Sequence, residues 1–235
     1  MASPARLGIL GGMGPQATQV FYQRILDWTD AARDQEHIPT LIWSDTAMPD
    51  RTAAILSGET EPVFQQLLAG ARLLEREGCT VLAIPCNTSH YFADRLQDGL
   101  GIPLLNMVRL SAEAMARRGC RRVGILATDG TVRTGVYQRE CEAQGLTAYS
   151  PPPEVQKVVM SVIYDEIKKG EKGSREKFAV MDKCLREAWC DAAILGCTEL
   201  SVYRTYHPLP EFYVDAMDIL AERCITYCGY KLRMV

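Results

Sequence analysis

Two segments of this chain are echoed by two later ones, and that repetition constrains the fold more than any other feature. Arg6-Leu7-Gly8-Ile9-Leu10 returns as Arg122-Val123-Gly124-Ile125-Leu126. Val81-Leu82-Ala83-Ile84-Pro85-Cys86-Asn87-Thr88 returns as Ala192-Ala193-Ile194-Leu195-Gly196-Cys197-Thr198, at a nearly equal offset. Each echoed segment opens as an apolar run of strand length, and the stretches between carry apolar residues at helical spacing. The chain therefore reads as two related halves.

Within the first half the alternation is plain. Residues 7–10 form a strand, the loop Gly11-Gly12-Met13-Gly14 follows, and Pro15 suits the first turn of a helix. Ala17, Val20, Phe21, Ile25 and Trp28 then recur at helical intervals. Residues 40–44 read as a strand, 62–77 as a helix, 81–84 as a strand, and a further helix starts near Thr88. Such alternation predicts an α/β fold with a mostly parallel sheet flanked by helices in each half. The expected division is 1–108 with 211–235 as the first domain and 109–210 as the second. The run Pro151-Pro152-Pro153 leads into a helix inside the second half. Residues 212–214 and 216–227 read as one more strand and helix, packing back on the first half.

Charge and composition remove several classes of function. The formal net charge is −3, which argues against a nucleic-acid protein with its concentrated basic face. The densest basic cluster, Arg117, Arg118, Arg121 and Arg122, straddles a turn between a helix and a strand. No apolar run approaches the ~18 residues of a membrane span, and the opening Met-Ala-Ser-Pro-Ala-Arg does not read as a secretory leader. A cytoplasmic protein is expected. The nine cysteines are an odd number and too few for a disulfide scaffold at this length, so they read as thiols.

Two of those thiols call for a chemical explanation. In Pro85-Cys86-Asn87-Thr88 and Gly196-Cys197-Thr198-Glu199 an apolar strand ends, a cysteine follows, and residues suited to helix capping come next. Ligands of open α/β sheets bind beyond the carboxyl ends of the strands. A helix N-terminus there would lower a thiol's pKa. Two thiols in equivalent positions suit inversion of a stereocentre: one thiolate removes the Cα proton and the opposing thiol returns one to the other face.

The motifs Gly8-Ile9-Leu10-Gly11-Gly12-Met13-Gly14-Pro15, Met48-Pro49-Asp50-Arg51-Thr52, Pro85-Cys86-Asn87-Thr88, Ala127-Thr128-Asp129-Gly130-Thr131 and Gly196-Cys197-Thr198-Glu199-Leu200 run across nearly the whole chain. In them the sequence resembles the aspartate/glutamate racemase family, which works without pyridoxal phosphate. The resemblance implies two similar, pseudo-twofold related α/β domains with the active site between them. It further implies a homodimer, no cofactor and no metal, and an acidic amino acid as substrate. Cys86 and Cys197 would be the acid and base. Arg51, in a loop after the second strand, would bind a substrate carboxylate, with Gly12 and Met13 nearby in the glycine loop. Tyr164 and Lys168 match a further motif, and their spacing puts both on one helix face. Lys168 could be a second cation for a dicarboxylate or could complement a helix C-terminus. Asn87, Thr88 and Thr198 suit the α-carboxylate or amine and equally suit helix caps; Thr128 and Thr131 read the same two ways. His90 and Glu199 could relay protons or serve structure. Ser89 departs from the alanine frequent in relatives.

Three other readings compete. Gly12-x-Gly14-x-x-Ala17 also fits a dinucleotide fingerprint, whose acidic partner would be Asp45, farther on than the fingerprint prefers. That reading leaves both cysteines unexplained. A maleate isomerase or hydantoin racemase, or a non-catalytic ligand-binding module, would share the fold. Cys224 and Cys228 lack the partners of a zinc site, and His37 and His207 have no supporting context.

Overall fold

The structure, a computed structural model, describes residues 5–233; the first residues of the leader reading lie outside them. It contains two compact units, Met1–Met107 with Met217–Val235, and Val108–Ala216.

In the first unit β1 (Leu7–Gly11), β2 (Thr40–Ser44), β3 (Val81–Ala83) and β4 (Leu104–Leu105) form a parallel sheet in the order β2-β1-β3-β4. Every residue of β1 is buried, as expected of a central parallel strand covered on both faces. Its helices are α1 (Pro15–Trp28), α2 (Arg51–Ser57), α3 (Glu61–Arg76) and α4 (Ala93–Asp98). Pro15 occupies the first turn of α1. α3 buries Val63, Phe64, Leu67, Ala71 and Leu74 at helical spacing, and these pack with Leu10 and Leu82 of the sheet and with Ile84 just past β3. The helix expected near Thr88 begins as a 3₁₀ turn over Thr88–Phe92 and becomes α-helical only in α4.

The second unit repeats the plan. After α5 (Met107–Arg117), β5 (Arg122–Leu126), α6 (Asp129–Thr134), α7 (Val136–Ala143), β6 (Thr147–Tyr149), α8 (Pro153–Ser161), α9 (Arg175–Glu187), β7 (Ala192–Leu195), α10 (Thr198–Tyr206) and β8 (Tyr213–Asp215) follow. The parallel sheet has the order β6-β5-β7-β8. The chain then returns to the first unit as α11 (Ala216–Tyr227). The proline run does lead into a helix, with Pro153 opening α8. The expectation placed residues 211–215 in the first domain; β8 instead pairs with β7, so the return follows Ala216.

The echoed glycines hold the same place in both sheets. A Cβ on Gly8 would lie 3.3 Å from Leu74 Cβ, and one on Gly124 only 2.6 Å from Leu185 Cδ2. Each glycine lets the helix before the third strand press against the first. Gly12 is under a different constraint: its φ is +86°, and a Cβ there would sit 2.4 Å from the Asp45 carbonyl carbon. Left-handed backbone costs a non-glycine residue about 1–2 kcal/mol before any collision is counted. Gly12→Ala should therefore lower unfolding free energy by at least about 1 kcal/mol, read by urea denaturation followed by circular dichroism. An unchanged midpoint would mean that the Asp45 backbone yields freely.

Candidate active site

In each sheet the chain passes from the first strand outward to the second on one side, and the third strand lies on the other. A crevice for ligands opens beyond the carboxyl ends at such a switch point. In the first unit it lies after β1 and β3, where the loops containing Met13 and Cys86 emerge, and Ser89 Oγ links the two by donating to Met13 Sδ at 3.4 Å. In the second it lies after β5 and β7, where Thr128 and Cys197 emerge, and the Gly196 N–H donates to Leu126 O at 2.8 Å. Both cysteines are buried.

Cys86 is set by backbone. Its N–H donates to Ile84 O at 2.8 Å, and its carbonyl lies 2.9 Å from His90 Nδ1. His90 Nε2 takes the Met107 N–H at 3.1 Å. A ring nitrogen that accepts cannot carry the proton of a neutral imidazole, so Nδ1 donates to Cys86. His90 thus braces the turn after β3 against the start of α5. Asn87 and Thr88 are buried beside it, and Asn87 provides no side-chain cap to the following turn.

Arg51, expected in a loop, is the first residue of α2. Asp50 caps that helix by accepting the Ala53 N–H at 2.7 Å. The guanidinium is buried: Nη1 donates to Pro49 O at 2.8 Å and Met48 O at 3.3 Å, and Nη2 to Met13 O at 3.4 Å. Arg51 therefore joins the turn after β2 to the glycine loop after β1.

Cys197 is set by charge. It is itself the N-cap of α10, and Thr198 is the first helical residue. Its Sγ donates to Glu199 Oε2 at 2.9 Å, and Thr198 Oγ1 reaches the same oxygen at 3.5 Å. Glu199 Oε1 takes Lys168 Nζ at 2.6 Å. Burial and the Glu199 carboxylate push the Cys197 thiol well above its ordinary 9.0; Lys168 and the Glu199 backbone N–H pull it down and are outweighed. This corrects the sequence expectation that a helix N-terminus would bring this thiol toward neutrality. Removing the thiol from water dominates.

The partner Lys168 arrives by an irregular backbone. Tyr164 and Lys168 were expected on one α-helical face; α8 instead continues as a π turn over Val162–Glu166 and a 3₁₀ turn over Ile167–Lys169, closed by Gly170. The two side chains still meet, with Nζ 5.2 Å from the Tyr164 ring centroid. Tyr164 also borders an open cavity of about 520 Å³ lined by Asp129, Pro151, Gln156, Met160 and Asp165 among others. Thr128 caps α6, accepting the Thr131 N–H at 3.3 Å, and the two hydroxyls lie 3.2 Å apart. Sequence reasoning missed Asp215. Buried at the end of β8, it accepts from Ser201 Oγ of α10 at 2.7 Å and lies 3.8 Å from Arg204 Nη1. An acid ending a strand was the available signal, lost when that strand was assigned to the other domain.

The glycine loop does not present a dinucleotide cradle. The Gly12 N–H is taken by Thr18 Oγ1 at 2.9 Å, and the Asp45 carboxylate holds Gln66 at 2.8 Å and the Ala47 N–H at 3.2 Å. Cys224, on α11, and Cys228, just past its end, are buried, and among the described residues no three His, Cys, Asp or Glu side chains group to hold a metal. No helix among the described residues is long and apolar enough to cross a membrane.

Two parallel α/β sheets, each with a thiol beyond its third strand, define the class by fold and site. The chain belongs to the Asp/Glu/hydantoin racemase family, whose model matches residues 10–224. Its structure is similar to that of Picrophilus torridus aspartate racemase, with a TM-score of 0.82 and 27% identity over 97% of this chain and 96% of that one. A Pyrococcus horikoshii aspartate racemase homologue shares the fold at a TM-score of 0.76 and 22% identity, over 95% of this chain and 99% of that one. The sequence is 27% identical over 143 residues to the broad specificity amino-acid racemase RacX of Bacillus subtilis, a match spanning 59% of this chain and 61% of that protein.

Because Cys197 is buried against a carboxylate, its alkylation by iodoacetamide should stay slow through neutral pH and climb only above 9.0. Peptide mapping by mass spectrometry across a pH series checks this. A second outcome concerns His90. His90→Ala leaves the buried Met107 N–H without its acceptor and should cost about 1–3 kcal/mol of stability in urea.

Proposed function

We propose that this protein interconverts the L- and D-forms of an acidic amino acid, aspartate or glutamate, without a cofactor, using Cys86 and Cys197 as paired base and acid. One observation carries the reading: a buried thiol follows the third strand of each of two like sheets. Racemisation requires two groups that exchange roles. One sulfur as thiolate takes the Cα proton, the C–H electron pair remains on the substrate and is delocalised into its carboxylate, and the other thiol returns a proton to the opposite face. Protons balance, and the two sulfurs end with their states exchanged.

The Cys197 thiol, resting protonated on Glu199, suits the donor. Arg51 binds a substrate carboxylate in this reading, sharing a guanidinium that already donates to three carbonyls. In this reading Gly12, Met13, Asn87, Thr88, Thr128, Thr131 and Thr198 are the candidates for contacts to the carboxylate and amine. The nine unpaired cysteines suit a reducing cytoplasm, and a homodimer is the assembly to be tested by light scattering. The name of the Bacillus subtilis relative makes neutral and basic amino acids necessary companions in the substrate screen.

Incubation of the purified protein with L- or D-aspartate or glutamate, with no cofactor added, should yield the opposite enantiomer on chiral chromatography. Cys86→Ser and Cys197→Ser should each abolish inversion, because a serine hydroxyl is a far weaker acid and base than a thiol near neutral pH. Racemisation by either variant near the wild-type rate would assign that cysteine to structure and overturn the mechanism.

A further inference from the structure

We propose that β2 is the surface through which two copies of this chain pair, strand against strand, into one continuous sheet. The proposal gives the homodimer named above its contact and does not depend on the two-thiol reading. The first sheet ends on β2 and β4, the second on β6 and β8. Three of these four edges are blunted by their shortness, as natural edges often are. β4 has two residues, β6 and β8 have three each, and β8 is buried throughout. β2 differs from them. It runs for five residues, Thr40-Leu41-Ile42-Trp43-Ser44, with no charge, glycine or proline among them. Ile42 is 37% exposed and Trp43 44%. Successive side chains of a strand point to opposite faces, so each face of this edge presents an exposed apolar side chain.

The ladder fixes which backbone groups face outward. The Leu7 N–H donates to Pro39 O at 2.9 Å and the Asp45 N–H to Gly11 O at 3.2 Å. Odd-numbered residues of this run therefore turn their N–H and C=O toward β1. Thr40, Ile42 and Ser44 turn theirs away, where no strand pairs with them among the described residues. Pro39 lies on the inward parity, so its missing N–H takes nothing from the outer edge. The five residues are self-complementary about Ile42. In antiparallel pairing across a twofold axis, Ile42 exchanges two hydrogen bonds with the partner's Ile42, and Thr40 does the same with the partner's Ser44. Leu41 then stands opposite the partner's Trp43, and the reverse pair repeats this. Apolar meets apolar and polar meets polar in every pair. Asp45 is the one charged residue in 38–46, and it stands opposite the partner's Pro39. A Cβ on Gly70 would lie 3.3 Å from Trp43 Cδ1, so α3 leaves room for the indole beside the edge. A second copy always carries the matching strand.

The test reads mass and cross-linking, with no activity needed. Light scattering after size exclusion should give wild-type protein twice the 26.2 kDa of one chain. Ile42→Lys sets two ammonium groups against each other at the axis. It should raise the dissociation constant at least about tenfold, with the circular dichroism spectrum unchanged. Ile42→Cys tests the register. Residues paired across the axis have Cα atoms about 5.5 Å apart, within reach of a disulfide. Oxidation with diamide should therefore link this variant into covalent dimers well beyond the level that wild-type protein forms. Thr46→Cys is exposed but lies about 27 Å along the strands from its own copy, and it should stay at the wild-type level. Wild-type protein with the mass of one chain overturns the proposal. A dimer indifferent to Ile42→Lys and not linked through Ile42→Cys overturns it too, and moves the homodimer to another surface. Racemisation is read separately by chiral chromatography, so either reading can fail alone.

Discussion

Parallel strands buried on both faces leave chemistry few places to sit. The backbone of β1, β3, β5 and β7 is paired from both sides, and buried peptide groups must stay paired. Groups free to meet a ligand therefore appear where the ladders end and helices have yet to begin. Met13, Cys86, Thr128 and Cys197 all lie at such ends. Their placement within each unit follows from sheet topology before any side chain is considered, and the inward glycines of β1 and β5 keep the covering helices close enough to maintain it.

The backbone repeats between the units, but the supports of the two thiols do not. Cys86 is held by a neutral imidazole wedged between its own carbonyl and the Met107 N–H. Cys197 is held by an ion pair through Glu199. A neutral brace fixes geometry with little effect on charge; a carboxylate against a sulfur biases the sulfur toward its protonated form. A reaction that starts with one acid and one base has use for unlike sulfurs on like scaffolds.

Much of this was legible in the residues. The echo of residues 6–10 at 122–126 and of 81–88 at 192–198 predicted two like sheets, because strand-length apolar runs and glycine loops are local signals. The positions of Cys86 and Cys197 followed from them. Three features were not legible. The π turn that carries Tyr164 and the 3₁₀ turn that carries Lys168 preserve helical spacing in the sequence while changing the winding. The placement of Arg51 at a helix start depends on Asp50 capping, which a Pro-Asp-Arg loop reading overlooked. The fall of residues 213–215 into the second sheet is a long-range pairing decision, and single-strand periodicity carries no information on partners.

The misplaced strand has a physical consequence for the site. Asp215 ends β8 and accepts from Ser201, one turn along α10 from Cys197. Arg204, another turn on, lies at the other carboxylate oxygen. A helix whose first residues carry a thiol and a charged pair must not shift along its axis, since hydrogen bonds to a sulfur or carboxylate weaken steeply with small displacements. The edge strand supplies the anchor: a buried acid, fixed by pairing to β7, that grips α10 from its side. The same strand that closes the second sheet thus sets the register of the helix capped by Cys197, and the Lys168–Glu199–Cys197 chain inherits its geometry from that grip.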